Sequence, residues 1–277
     1  MWKQKISLSI GNAYPIPTTQ AIAIAAQCGF EAISPEWSAK ADMESVYQAA
    51  ADNGLILHSL HAPFGRAAEM WTAQADDAKK ELLLPLEDCR KHNIPIMVVH
   101  VWIGFDPSEG PTAVGLANYG EIVDKATEYG VKIAFENTEG EEYLFALMDH
   151  FQSNDTVGFC WDSGHELCYN HSQDLLARFG DRLLVTHLND NLGIRRFDGN
   201  TFWHDDLHLL PYDGIADWDY NLNRLKKAKP LDIINFEVSR RSKPNRHDND
   251  LYTAMSMEEY FAQAYNRACR IAYRYSL

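Results

Sequence analysis

The chain has no CxxC pair, no GxGxxG loop, no apolar run near the roughly 18 residues a membrane span needs, and fewer basic than acidic residues. Each absence removes a class of protein. Five cysteines (Cys28, Cys89, Cys160, Cys168 and Cys269) are odd in number and scattered, which suits buried thiols in a reducing compartment better than a disulfide frame or a thiolate catalyst. After the first apolar run, where a dinucleotide-binding sheet would carry its phosphate loop, SIGNAYPIP stands instead, which argues against a nicotinamide enzyme. Lysine plus arginine number 25 against 39 aspartate plus glutamate, a formal net charge of −14, and that mean field repels nucleic acid. The N-terminal MWKQKISLSIGNAYP lacks the long apolar core of a signal peptide, so a cytoplasmic protein is expected. No proline- or serine-rich linker and no low-complexity segment divides the chain.

What is present is a large, regular α/β pattern. With 277 residues, 46% of them hydrophobic and 23% charged, the chain can bury a sizeable core. That length is ordinary for one α/β barrel of about 250 residues. Eight β-branched or apolar runs alternate with helical patterns: KISLSIG, FEAISPEW, LILHSLHAPF, IPIMVVHVW, VKIAFENT, VGFCWDSGH, LLVTHLNDN and LDIINFEV. The intervening stretches, such as TTQAIAIAAQCGF and YGEIVDKATEYGV, space apolar residues helically and place a glycine just before the next strand. The expectation is a single domain over residues 1–277, an eight-stranded parallel (β/α)8 barrel with outer helices. The longest irregular stretch, residues 191–218, follows the seventh strand and is long enough to be functional.

Barrels of this type build active sites at the C-terminal ends of their strands. Here those ends carry His61, His100, Glu136 with Asn137, Asp162 with His165, His187 and Glu237, and the long loop adds Asp206 and His208. Each alone has an ordinary explanation: a satisfied histidine, a glutamate leaving the sheet, or an aspartate capping a helix. Together they converge only if the strands lie side by side. Carboxylates and imidazoles gathered in one mouth, with no lysine between them, would repel one another unless a divalent cation held them. Oxygen and nitrogen ligands suit Mn, Co, Zn or Fe, and no cysteine is expected at the site. Asn137, Asn189 and Asp190 are expected to orient the ligands, so that VTHLNDN at 185–191 reads as a ligand strand. Aromatic residues near the strand ends (Phe64, Trp102, Phe105, Trp161 and Trp203) offer flat faces for sugar C–H surfaces or ordinary packing. The basic segment Arg240, Arg241, Lys243 and Arg246 either grips a sugar phosphate or forms a solvated loop.

From HAPF at 61–64 to FEV at 236–238 the chain resembles the xylose isomerase-like TIM-barrel superfamily, through the ordered set FEN, WDSGH, THLNDN, DLHLLPYDGIADW and FEV. The resemblance implies one divalent metal on Glu136, Asp162, His187 and Glu237, with the two glutamates also acting as acid and base on a small carbohydrate. Glu142 and His165, six residues after Glu136 and three after Asp162, match substrate-binding positions of the ketose epimerase branch. That branch usually carries an arginine six residues after the strand-seven histidine, where this chain has Gly193; Arg195 or Arg196 is the substitute. His61, His100 and Trp102 are further candidates for substrate contact. A second branch, endonuclease IV, binds three zinc ions through residues corresponding to His61, His100, Glu136, Asp162, His165, His187, Asp206, His208 and Glu237. The resemblance therefore leaves room for up to three metals and, after the example of relatives, a homodimer. The implied activity is sugar or sugar phosphate isomerisation or epimerisation through an enediolate. A dehydratase or lyase, or a phosphodiesterase on abasic DNA, is the alternative.

Overall fold

The protein is described by a computed structural model covering residues 2–11, 14–105, 109–195 and 202–277. Arg196 lies outside these. The strands are β1 (Lys5–Ile10), β2 (Ala32–Pro35), β3 (Ile56–Leu57), β4 (Leu60–His61), β5 (Ile96–His100), β6 (Lys132–Glu136), β7 (Val157–Asp162), β8 (Leu183–His187) and β9 (Ile233–Phe236). All pair in parallel, in a five-stranded sheet of order β4-β5-β6-β7-β8 and a four-stranded sheet of order β3-β2-β1-β9. Single bridges, Glu36 with His61 and Leu188 with Phe236, join the two sheets at both seams.

The expectation of eight strands in one closed sheet is met in part. Its third run, LILHSLHAPF, yields two short pieces because the chain changes partner midway: Ile56 and Leu57 pair with Ala32 and Ile33, whereas Leu60 and His61 pair with Met97 and Val98. Outside the sheets lie α1 (Thr18–Cys28), α2 (Met43–Asp52), α3 (Asp76–Lys91), α4 (Ala113–Tyr129), α5 (Glu141–His150), α6 (Ser163–Cys168), α7 (Leu175–Phe179), α8 (Trp218–Leu225), α9 (Asp250–Thr253) and α10 (Met257–Tyr275). Gly29 and Gly130 end α1 and α4 in the left-handed conformation that the sequence signals, with φ of 109° and 70°. No helix among the described residues is long and apolar enough to cross a membrane.

Strand side chains alternate between two cores. Val99, Phe135, Phe159, Trp161 and Leu188 belong to the large outer core, which also holds the buried faces of the helices. Ile96, Val98, Ala134, Cys160 and Val185 form a small separate cluster, two residues apart along each strand and out of phase with the first. One further step of two along the same strands reaches His100, Glu136, Asp162 and His187. These four residues are therefore the topmost layer of the inward-facing rows. In the four-stranded sheet the row is polar and small: Ser34 Oγ lies 2.6 Å from Ser59 Oγ, and Asn235 donates to Ser9 Oγ at 2.9 Å.

Candidate metal centre

Strand register sets the first part of the site. His100 is level with Glu136 on β5 and β6, and Asp162 is level with His187 on β7 and β8. Glu136 is wholly buried at the centre. Its Oε2 lies 3.3 Å from both His61 Nε2 and His100 Nε2, and its Oε1 lies 2.8 Å from His187 Nδ1. His187 Nδ1 is also 3.1 Å from Glu237 Oε2. On the far side His165 Nε2 and His208 Nε2 approach Asp206 Oδ1 at 3.5 and 2.8 Å.

The imidazoles are aimed by the backbone. His61, His165 and His208 each place Nδ1 within 2.9 to 3.1 Å of a carbonyl oxygen, those of Ala62, Asn137 and Glu237. An Nδ1–H donated there leaves Nε2 facing the carboxylates, the tautomer a metal ligand needs. Asp162 does two things at once. Its Oδ1 accepts from the His165 N–H at 2.7 Å, capping α6, and its Oδ2 accepts from Asn189 at 2.9 Å. Asn137 holds the same strand by exchanging hydrogen bonds with the Asp162 backbone at 2.8 and 2.9 Å. Asn137 and Asn189 thus both hold Asp162 in place. Gly164 is required here, because a Cβ would overlap Asn189 Oδ1. Gly164→Ala is expected to cost about 1–3 kcal/mol from overpacking, seen as a lowered denaturation midpoint, and to loosen the Asp162–Asn189 contact.

Asp190 departs from expectation. It orients no ligand directly; its carboxylate accepts from the N–H groups of Asn191, Tyr212 and Ala216 and from the Trp218 indole, all at 2.9 to 3.0 Å. Its backbone pairs antiparallel with Leu209. Asp190 therefore folds the long loop back on β8, and so delivers Asp206 and His208 to the cluster.

Burial and mutual attraction compete over every charge. Burial pushes Asp162 up to about 6 against the pull of His165 and His208. For His208 burial acts downward, but Asp206 and Glu237 outweigh it and raise the imidazole to about 9. Burial opposes the shift in His187 and in Glu136 too, yet their neighbours drive the imidazole well above and the carboxyl well below its ordinary range. In His100 burial prevails and lowers the imidazole.

The residues fit a cation. Ligand atoms of Glu136, Asp162, His187 and Glu237 lie within 4.8 Å of one another, as do those of His61, His100 and Glu136 and those of Asp162, His165 and His208. A metal at roughly 2.0–2.2 Å from its ligands needs such clustering. His187 Nε2 is moreover buried without a hydrogen-bond partner among the described residues. Two expectations need correction. Cys160 joins Glu136 and His187 in a close group, although burial pushes its thiol far up and keeps it protonated. Lys243 reaches into the cluster, with Nζ 3.4 Å from Asp206 Oδ2, so a lysine does stand among the carboxylates.

Above the cluster opens a cavity of about 240 Å³. His61, His100, His165, Asp206, His208 and Glu237 line it, with Phe64 stacked on His100 at 4.4 Å between ring centres. Glu36, Tyr14, Ser9, Arg240 and Lys243 also line it. Glu36 ends its strand as the other acids do, which was the signal available for it. Glu136, Asp162 and His187 lie beneath the lining rather than in it, and three candidates for substrate contact stay outside it. Trp102 stacks on Tyr143 at 4.3 Å, Glu142 is exposed in the first turn of α5, and Arg195 is exposed with Nη1 3.9 Å from Asp248. Trp161 is buried, its indole donating to Glu166.

A parallel β/α barrel whose strand ends bring carboxylates and imidazoles into one pocket defines the class of protein. The chain belongs to the xylose isomerase-like TIM-barrel family, whose description matches residues 22–259. It is 28% identical, over 267 aligned residues covering 83% of each chain, to the "uncharacterized protein y4fM" of Sinorhizobium fredii. Among solved structures, the IolI protein with a bound zinc atom superposes with a TM-score of 0.72 at 16% identity over 97% of this chain and 98% of that one. An L-ribulose 3-epimerase gives 0.70 at 14% over 98% and 96%. The D-allulose 3-epimerase of Methylomonas sp., solved with D-allulose, gives 0.66 at 15% over 96% of both.

Proposed function

We propose that the protein is a divalent-metal-dependent isomerase or epimerase of a sugar or sugar phosphate. The observation that carries this reading is the convergence of Glu136, Asp162, His187 and Glu237 beneath a cavity smaller than the roughly 300–1,000 Å³ of drug-sized ligand sites. These four residues would hold one Mn, Co or Zn ion, whose oxygen and nitrogen donors suit those metals. When bound, such a cation supplies Lewis-acid charge that acidifies a proton on carbon beside a carbonyl and steadies the oxyanion that follows.

The chain's own residues do the rest. Glu237, which lines the cavity, would take the carbon-bound proton on one face of the sugar, and Glu136 would return a proton from the other. His165 and His100, also on the cavity wall, would move a proton at oxygen. Phe64 offers an apolar face to the sugar's C–H surface. Loss of a β-hydroxyl from the same enediolate would make a dehydratase or lyase.

A second reading, phosphodiester cleavage at abasic DNA, is favoured by one observation: the four-residue group is flanked by a second group through Glu136 and a third through Asp162, so donors exist for more than one cation. The net charge of −14 and the small cavity oppose it. Elemental analysis of purified protein beside Glu237→Gln separates the two. The isomerase reading expects about one metal per chain, reduced in the variant, and no nicking of abasic DNA. Two or three zinc ions with salt-sensitive nicking would overturn it.

A further inference from the structure

The cations of the loop after β9 are not equivalent. Lys243 pairs with Asp206, and Arg246 lies 3.2 Å from Asp205 Oδ1 and 2.9 Å from Asp248 Oδ2. Arg240 is half-buried on the cavity wall and pairs with no carboxylate among the described residues. It is nevertheless held in place. Its Nη2 donates to the carbonyls of Thr253 and Met255 at 2.5 and 2.6 Å, and the Thr253 hydroxyl donates to the Arg240 carbonyl at 3.0 Å. Its Nε is buried with no acceptor among the described residues. Carbonyls orient a guanidinium without neutralising it, and a part-buried charge left so is costly unless an anion arrives. In a chain with 14 more acidic than basic residues, that pairing would have been easy to supply from within. Lys243, though paired with Asp206, and Ser239 line the same cavity, so a second cation faces it.

We propose that Arg240, with Lys243 facing the same cavity, is an anion subsite, and that the substrate carries a carboxylate or a phosphate. The inference rests on the proposed carbohydrate reading and narrows it to sugar acids or sugar phosphates. A planar guanidinium already fixed by two carbonyls loses little freedom on meeting either group.

Calorimetric titration with glycerol, glycerate and glycerol 1-phosphate tests this, since the three differ only at the end that carries charge. Each is titrated into metal-loaded and chelator-treated protein, wild type and Arg240→Gln, which removes the charge and keeps a polar side chain. One anion is expected to bind wild type at least about tenfold more tightly than glycerol, in both metal states, and the preference should vanish in Arg240→Gln. Glycerate as the tighter ligand points to a sugar acid, glycerol 1-phosphate to a sugar phosphate. Equal affinity for all three in wild type, a measurement that needs no variant, would overturn the subsite. So would a preference that survives in Arg240→Gln or appears only with metal, because the anion would then sit on the cation. Protein that takes up no metal yet keeps the Arg240-dependent preference would sink the isomerase reading and leave the subsite standing.

Discussion

Glu136→Gln is expected to lower turnover on the order of 10³-fold and to strip the purified protein of its metal. The two effects have one cause. Glu136 presents Oε2 to His61 and His100 and Oε1 to His187, so a single carboxylate belongs to three of the close groups. Glutamine keeps the shape but removes the negative charge and puts a donor where an acceptor is needed. His61 and His100 then lose the carboxylate oxygen they share, and His187 keeps only Glu237. Elemental analysis, a thermal melt and an activity assay on the variant check the expectation together. A variant that keeps full metal content would show that Glu136 is not a ligand.

The second large effect lies behind the site. Arg224 is buried and donates to Glu166 Oε1 at 2.6 Å, to Asn221 at 2.6 Å and to Asp174 Oδ1 at 2.9 Å. Glu166 in turn accepts from the Trp161 indole at 2.9 Å and the Leu175 N–H at 3.2 Å, while Asp174 caps α7. Arg224→Met leaves the Glu166 charge buried and uncompensated, which costs about 3–5 kcal/mol, or a fall in Tm on the order of 10 °C. The double variant Glu166→Gln/Arg224→Met should recover part of that loss, because no lone charge remains. Because Trp161 directly precedes Asp162 on β7, the single variant is also expected to weaken metal binding.

Much of this site was readable from the chain, and the reason is the period of two. His100, Glu136, Asp162 and His187 each stand two residues beyond an inward-facing apolar or small residue, so parity alone puts them on one face. What parity does not give is stagger. His61 is level with Val98 rather than with His100, and only the three-dimensional register brings both imidazoles to the same oxygen of Glu136. The break in the third strand falls at His58 and Ser59, between Leu57 and Leu60, and two polar residues inside an otherwise apolar run read equally well as part of one continuous strand.

Loops were harder still. Lys243 meets Asp206 across 37 residues of sequence, and the paired arginine is distinguishable from the unpaired one only when their neighbours are in place. Asp190 looked like its neighbour Asn189. Its four donors come from one long loop, and nothing local announces that loop's return.

Deuterium uptake from heavy water into a panel of aldoses, ketoses, sugar acids and sugar phosphates, with Mn, Co or Zn supplied, tests the account most directly. Deuterium entering carbon beside the carbonyl of one substrate, stopped by chelator and by Glu237→Gln, is the predicted result. A protein that binds its metal yet exchanges no hydrogen with any of them, while it cuts abasic DNA, would contradict the account.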